Sequence, residues 1–514
     1  MADIIGLDFG TTYSFPAFKD GNTNSINGLM DPSYRYGIPS LAHVSESGEI
    51  TYGHSAEDQG ESMHEGLIKS IKRKMFDKDH LDGTKKIKVN GSEFTIQQIV
   101  TGLLQDIVNE ANKRADIEFK KVFHKVVMTV PVDFGEEQKK FLMECAKNIF
   151  VKAKELEIVA FLQEPVAAGF YYLKNASSNL NIDLSNPYLA VLDIGGGTTD
   201  VTVLKYVKTN GTENFEVVSQ GMELLGGDQW DEQLQNFILN KLTNKYNISD
   251  GSIFQEAISK KIFTVKRALS DPYSDRYSLS LRVNGRTYNI DISLEEFNAC
   301  TKELLNKAMN KFKSVVDNSN CNINQILLVG GSCNMRQIKT GVKDLYPNSN
   351  VQFYQPEHAI GYGAAYYASI LNPNEDGTVE IDIHSGLTFI NKTRYSYGVG
   401  YDRFTDDISC VCNLILKDTT IPTGESKSDF TNKGETTKLL VKVYESDTTD
   451  KDYLLEGGTV KRYLGDVSFD YGELVAARSR PNEISLKIDS ANKLYAKIYD
   501  INSQKWVIKE IKKI

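Results

Sequence analysis

Leu189-Ala190-Val191-Leu192-Asp193-Ile194-Gly195-Gly196-Gly197-Thr198-Thr199-Asp200-Val201-Thr202-Val203-Leu204 is the stretch on which the fold turns. An apolar run ends in an acid, glycines and hydroxyls follow, and a second apolar run leaves. That pattern reads as a strand, a glycine hairpin and a returning strand. Glycine lets backbone N–H groups approach an anion closely, and such N–H concavities bind phosphate. An aspartate beside that grip suits a magnesium ion or its water shell. The phrase has a forerunner about 185 residues earlier, where Asp8-Phe9-Gly10-Thr11-Thr12 follows Ile4-Ile5-Gly6-Leu7. Two such hairpins facing each other would clamp a nucleotide polyphosphate from both sides. Duplication of the acid-Gly-Thr-Thr pattern separates this reading from that of two ordinary glycine turns.

At 514 residues the chain is too long for one core, and roughly three or four domain-sized units are expected. Hydrophobic residues make up 40% and charged residues 25%, the balance of an ordinary soluble globular protein. A net charge of −9 speaks against an electrostatic nucleic-acid binder. The N-terminus goes directly into a strand, without the charged and apolar regions of a secretory signal. No run approaches the roughly 18 apolar residues of a membrane span. The cysteines at 145, 300, 321, 333, 410 and 412 are scattered, and Cys410-Val411-Cys412 lacks zinc-ribbon or redox spacing. They fit free thiols in a reducing cytoplasm.

Outward from the hairpins, residues 1 to about 185 alternate strands and helices. Val126–Val130 reads as a strand stopped by Pro131, followed by a helix from Glu136 to about Ile149. Ile158–Leu162 reads as a strand, Val166–Leu173 as a helix, and the polar stretch Asn175–Asn186 as a surface loop. From Tyr188 a second lobe begins. Trp230, Leu234, Phe237 and Ile238 fall at helical spacing, and a helix covers Phe254–Leu269. Ser293-Leu294-Glu295-Glu296 is a capping box opening a helix to about Val316. Gln325–Val329 then runs into the glycine turn Gly330-Gly331-Ser332, where a third phosphate- or ribose-side loop fits. Gly361-Tyr362-Gly363-Ala364-Ala365 is small enough to bring a helix close to a neighbouring backbone. Beyond the breaker cluster Asn372–Gly377, alternation dominates in Leu439–Tyr444, Ile484–Ile488 and Leu494–Tyr499, the mark of an all-β module.

The order of these motifs resembles that of the heat shock protein 70 (DnaK-type) chaperone family over nearly the whole chain. The likeness rests on Gly6–Thr12, Ile38-Pro39-Ser40, Ser70-Ile71-Lys72-Arg73, Val130-Pro131 and Glu164-Pro165-Val166-Ala167-Ala168 in the first lobe. In the second it rests on Asp193–Thr198 with Asp200, Leu225-Gly226-Gly227-Asp228 with Asp231, Val329-Gly330-Gly331-Ser332, Pro356-Glu357 and Gly361–Ala365. In the β module it rests on Thr419–Thr423 and Val443-Tyr444-Glu445. The glycine hairpins alone would also admit actins and sugar kinases.

The resemblance implies an actin-like (duplicated ribonuclease-H-like) α/β ATPase domain over 1–371, with lobe I about 1–186 plus 358–371 and lobe II about 187–357. A linker over 372–384 and a β-sandwich over 385–514 would follow. It implies that Asp8 and Asp200 hold the magnesium water shell and support the attacking water, with Glu164 and Asp193 as further acids around the metal. Lys72 is then the catalytic lysine at the γ-phosphate, where a cation is apt because phosphoryl transfer is catalysed mostly by positioning and charge stabilisation. Gly10, Thr11, Thr12, Gly195, Gly196, Gly197, Thr198, Gly226, Gly227, Gly330, Gly331, Ser332 and Glu357 would line the nucleotide, with Lys266, Arg267 and Ser270 on its base and ribose. ATP/ADP and Mg2+, with K+ as a further candidate, are the implied ligands.

The adenosine side departs from the family pattern. Phe263 stands where the family places a glutamate against the adenine amino group, and Asn334 stands at its stacking arginine. Losing a buried charge-assisted contact costs about 1.5–3 kcal/mol when nothing replaces it. Phe263 reads either as a stacking partner for the base or as core. Pro131 and Lys139 match residues that transmit nucleotide state in the family. The linker match Gly377–Ile383 alternates, so Val379, Ile381 and Ile383 would line one face of an added strand. The chain runs to Ile514 without a long helix after the β module, which reads as a lidless variant.

These features make a cytoplasmic ATP-dependent chaperone the leading expectation, with a peptide or protein client on the β module. J-domain and nucleotide-exchange cochaperones are implied partners; nucleic acid and membrane are not. The alternative is a nucleotide-gated interaction protein with a dedicated partner. An actin-like filament or a sugar kinase is a third reading that the β module argues against.

Overall fold

The computed structural model describes residues 4–21, 23–62, 64–179, 186–209, 212–373, 379–381, 387–393, 395–417, 419–489 and 493–513. The chain divides into a first unit, residues 1–207 with 217–370, and a second, residues 208–216 with 371–514.

In the first unit the leading strands are β1 (Ile5–Asp8), β2 (Tyr13–Lys19), β3 (Ile26–Gly28), β4 (Lys125–Val130) and β5 (Glu157–Gln163). They form one sheet in the order β5-β4-β1-β2-β3. β1 runs parallel to β4 and β4 to β5, whereas β2 is antiparallel to β1. The second set is β6 (Tyr188–Ile194), β7 (Thr199–Thr209), β8 (Thr212–Glu223), β9 (Gln325–Val329) and β10 (Asn350–Phe353). Its order is β10-β9-β6-β7-β8, with β6 parallel to β9, β9 parallel to β10 and β7 antiparallel to β6. The second sheet thus repeats the strand order of the first. β1, β6 and β9 are buried along their whole length or nearly so, which is why each reads as an unbroken apolar run and not as alternation.

Helices cover both sheets. The ones that matter to the site are α1 (Ile71–Lys74), α2 (Ile96–Phe119), α3 (Glu164–Asn179), α4 (Gly227–Tyr246), α5 (Ile262–Ser270) and α6 (Ala359–Ser369). Thr95 and Gln98 cap α2 reciprocally. α4 buries Trp230, Leu234 and Ile238 of the expected stripe, and Leu242 beyond it, with Phe237 half-buried. Gly363 brings α6 onto α3: a methyl group there would lie 1.9 Å from the Ala167 carbonyl oxygen. The small-residue stretch therefore does what its composition suggested.

Three helix boundaries differ from the sequence reading. Asn175–Asn179 continue α3 and are not loop. The Phe254–Leu269 stripe is buried at Phe254, Ile258, Ile262, Val265 and Leu269, but the backbone breaks at Lys260-Lys261. The Ser293/Glu296 capping box forms, yet its helix ends at Cys300 and another spans Lys302–Asn318. The buried Thr301 hydroxyl donates to the Phe297 carbonyl at 2.7 Å, the back-bonding that bends helices.

The second unit is all strand among its described elements apart from turns. One antiparallel sheet orders Asp452–Leu454, Ser409–Ile415, Ser396–Asp402, Thr436–Ser446 and Val460–Val475. The other orders Ser426–Thr431, Pro481–Ile488, Lys493–Asp500 and Lys505–Lys513. Val441, Val443, Ile484, Leu486, Ile488, Leu494, Ala496 and Ile498 share one core, as alternation requires. Arg480 grips the fully buried Asp500 carboxylate with two N–H donors at 3.0 and 2.9 Å. Glu213–Glu216 pair in parallel with Leu387–Ile390. Within the expected linker, Val379–Ile381 pair antiparallel with Leu371–Pro373; Gly377, Thr378, Asp382 and Ile383 lie outside the described residues.

Candidate active site

The glycine hairpins lie between β1 and β2 and between β6 and β7, at matching places in the two sheets. Their acids sit where central strands end: Asp8 closes β1, Asp193 is next to last in β6, and Asp200 is second in β7. In parallel-strand architectures this is where ligands bind. The two turns face each other. A methyl on Gly196 would lie 2.3 Å from Thr12 Oγ1, and one on Gly197 would lie 3.2 Å from Thr11 Oγ1. Gly195 N–H donates to the Thr198 carbonyl at 3.0 Å and closes the second turn.

Lys72 enters from α1 and Glu164 from the start of α3. The ammonium donates to Glu164 Oε1, and the lysine is 3% exposed. Its Nζ lies 6.0 Å from the Phe9 ring centroid. Thr129 Oγ1 donates to Asp8 Oδ1 at 3.1 Å. The Val132 N–H, just after Pro131, donates to Asp200 Oδ1 at 2.7 Å and so ties the first sheet to the second.

Asp8, Glu164, Asp193 and Asp200 crowd one buried space with a single lysine among them. Burial, and then the Glu164 charge, push Asp8 up to about 7 against the pull of Lys72 and Thr129. The same two causes push Asp200 up to about 7, against hydrogen bonds from Thr198 and Val132. Burial and the charges of Glu164, Asp200 and Asp8 raise Asp193 well above the carboxylate range. Asp193 Oδ1 and Asp200 Oδ2 are buried without a hydrogen-bond partner. Buried acceptors left unmatched are costly, and a cation with its water shell is the group that would match them. Among the described residues no three His, Cys, Asp or Glu side chains group so as to ligate a metal ion directly. A Cβ on Gly195 would meet nothing closer than 3.9 Å, and one on Gly331 nothing within 4 Å. The residues present fit Mg2+ and a polyphosphate.

The second hairpin is propped from behind. Gly227 and Asp228, opening α4, donate N–H groups to the Gly195 and Gly196 carbonyls at 2.9 and 2.8 Å. Ser332 Oγ donates to the Gly195 carbonyl at 2.9 Å. Gly330 adopts φ +80°, and a Cβ there would lie 2.4 Å from Asp193 Oδ1, so only glycine fits. A methyl on Gly226 would lie 2.5 Å from the Gly196 carbonyl oxygen.

The residues assigned to the base and ribose are brought near the same turns but are spent differently. Lys266 Nζ pairs with Asp231 at 2.8 Å and donates to the Gly227 carbonyl at 3.1 Å. Ser270 Oγ donates to the Lys266 carbonyl at 2.8 Å, within its own helix. Arg267 donates to the Tyr36 hydroxyl, with its guanidinium carbon 4.7 Å from the Tyr36 ring centroid and 5.4 Å from that of Phe263. Phe263 is 41% exposed and therefore is not core. Asn334 is exposed and donates to the Gly331 carbonyl at 3.1 Å. Glu357 is half-buried beside His358, whose Nε2 lies 3.0 Å from the Arg35 carbonyl oxygen. Tyr36, Thr129 and Val132 were not legible as site residues, since no local pattern marks them; Ser70 lies in the Ser70-Ile71-Lys72-Arg73 motif, which gave it no role of its own.

Residues 4–454 match the family described as Hsp70 protein. The chain belongs to the Hsp70 family. It is also similar to a protein named Chaperone protein HscA homolog from Methylobacillus flagellatus, with 27% identity over 401 residues. That match takes in 74% of this chain, and the chain spans about 60% of the length of that relative. The family's motif order is thus found on a chain whose two sheets repeat one strand order and whose glycine hairpins face each other. Among the described residues of this Hsp70 family member, no helix is long and apolar enough to cross a membrane.

Proposed function

We propose that this Hsp70-family chain is a magnesium-dependent ATPase that controls the binding of a peptide or protein client. Residues 1–371 would form the actin-like ATPase domain, 372–384 the linker and 385–514 a β-sandwich that holds the client. The repeated strand order supports the duplicated fold. The observation that carries the reading is the pair of opposed glycine hairpins, with unmatched buried carboxylates and one buried lysine between them.

In this reading Gly10, Thr11, Thr12, Gly195, Gly196, Gly197 and Thr198 hold the phosphates through N–H and hydroxyl donors. Mg2+, when bound, would supply charge neutralisation to the phosphates. Asp8, Asp193 and Asp200 would hold it through its water, Asp193 and Asp200 having carboxylate oxygens that lack protein partners. Lys72 would stabilise charge developing on the γ-phosphate, with Glu164 orienting its ammonium. Asp200, held by the Val132 N–H, supports the attacking water. Because Val132 follows Pro131, a change at Asp200 would reach the segment the family uses for coupling. Gly226, Gly227, Gly330, Gly331, Ser332, Lys266, Arg267, Ser270 and Glu357 would flank the nucleoside.

ATP hydrolysis by the full chain tests this. Lys72→Ala and Thr198→Ala should each lower turnover by about 100-fold or more, the scale of losing one transition-state donor. Retained melting behaviour would show that the fold survives, and unchanged turnover in both would refute the site.

A second reading, a dedicated partner in place of general unfolded clients, is favoured by the rearranged base side and by the short Leu371–Pro373/Val379–Ile381 pairing. An ATP-dependent refolding assay on an unrelated denatured enzyme separates the two. Refolding supports the general chaperone, and its absence despite ATPase activity supports the dedicated one.

A further inference from the structure

Lys72 sits on a helix of only four residues, Ile71–Lys74. So short a helix has little stability of its own, and its placement must come from what holds its ends. Ile71 is fully buried and anchors one side. Ser70, the residue that starts the helix, is unusual in two ways. Its backbone is left-handed, with φ 53° and ψ 40°, where a residue with a Cβ is disfavoured. Its hydroxyl does not cap the helix, although serine at that position commonly does. Instead Ser70 Oγ donates to Asp228 Oδ2 at 2.5 Å, on the opening turn of α4 in the other lobe. That same turn donates its N–H groups to the carbonyls of the second glycine hairpin. Lys69 lies in the field of Asp231 and Asp228 as well. Strained backbone persists only where surrounding contacts over-determine it, and here the contact crosses between lobes.

We infer that Ser70 is a positioning residue for Lys72: its hydrogen bond to Asp228 fixes the lysine's short helix against the second hairpin, so Lys72 is correctly placed only while the lobes are closed. The inference deepens the proposed function and rests on it for the role of Lys72. It assigns Ser70 and Asp228 no contact with substrate. Cleft closure and completion of the catalytic set become one event, because a single hydroxyl joins the lysine's turn to the phosphate hairpin's support.

The test uses the full chain with Ser70→Ala, Ser70→Gly, Ser70→Asn and Asp228→Ala. Glycine relieves the left-handed strain without a hydroxyl; asparagine tolerates that conformation and keeps a donor. Two readouts are taken. In single-turnover hydrolysis, the alanine and glycine variants should fall by about 10- to 100-fold, the scale of a small misplacement. Their Mg-ADP affinity should stay within about threefold of wild type, since a uniform-binding loss would move affinity instead. Ser70→Asn should recover most of the rate. Without nucleotide, the acylation rate of Lys72 by an amine-reactive ester, followed by mass spectrometry, should rise about tenfold in Ser70→Gly and Asp228→Ala, the factor a hydrogen bond to a charged acceptor commands. Wild-type hydrolysis and wild-type Lys72 labelling in Ser70→Gly would overturn the inference while leaving the ATPase reading intact. Hydrolysis that is absent or independent of Lys72 would instead overturn the ATPase reading, with the labelling rates still deciding whether Ser70 places Lys72.

Discussion

Asp8, Asp193 and Asp200 are buried, and each is set by a strand end; Phe263, Arg267 and Asn334 are exposed, and they lie on a helix face and a turn. The first group gathers like charges into a space where two carboxylate oxygens have no partner. The second gathers rings and a guanidinium that already satisfy one another. If the chain binds a nucleotide as proposed, the contrast locates the source of the binding energy. The buried acids would be offset by a cation, so the phosphate end would draw on Mg2+. The base end holds Arg267 against Tyr36 and Phe263 before any ligand is present, so a base must compete for it.

The sharpest way to break this contrast is Asp193→Asn. It removes an unmatched acid from the first group and should weaken Mg-dependent ADP binding by about 10- to 100-fold, as losses around a metal usually do. Calorimetric titration with and without Mg2+ measures it. Equal affinities in the two proteins would mean the acids do not serve a cation. A smaller effect is expected at the base end. The ratio of ATP to GTP affinity should stay under about tenfold, because no buried polar group is left unpaired by the wrong base. A large preference for ATP, lost on Phe263→Ala, would show that the exposed group recognises the base after all.

The metal-free protein offers a third test through pH. In the folded state burial and the Glu164 charge raise the pKa of Asp200 from 3.8 to about 7. A raised carboxyl contributes its full stability below the unfolded value and loses it as pH rises through the folded one. Asp200→Asn should therefore match wild type near pH 4 and exceed it by ~1 kcal/mol or more above pH 7, read by thermal melting without Mg2+ or nucleotide. A gain that does not grow with pH would mean that the crowding of acids is relieved in solution. Smallest of all, Tyr36→Ala frees Arg267 from a contact the base must compete with and should slow release of a fluorescent ADP analogue by only a few-fold, in keeping with about 0.5–1 kcal/mol for an exposed cation–π contact. A faster release would reverse the assigned role of that contact.

What the sequence made legible follows from the range of the interactions. The hairpins could be read because acid, glycine and hydroxyl act within eight residues, and the β module because alternation is local. The capping box at Ser293 and Glu296 was legible for the same reason. The break at Thr301 was not, since it depends on a buried hydroxyl that accepts a hydrogen bond from the Gln337 amide. Nor were the contacts that arm the site. Thr129 meets Asp8, Val132 meets Asp200 and Ser70 meets Asp228 across separations of 121, 68 and 158 residues. Lys266 illustrates the middle case: the resemblance placed it at the nucleoside, and the fold has already given its ammonium to Asp231 and the Gly227 carbonyl.

The central claim is that the opposed hairpins close on a triphosphate and its metal. A crystal structure of the full chain with Mg2+ and a non-hydrolysable ATP analogue tests it most directly. The account predicts the terminal phosphates between Thr11-Thr12 and Gly195-Gly196-Gly197, with the ion's water shell turned toward Asp8, Asp193 and Asp200. Phosphates seated anywhere else, or an analogue bound with Asp193 Oδ1 and Asp200 Oδ2 still unmatched, would contradict it.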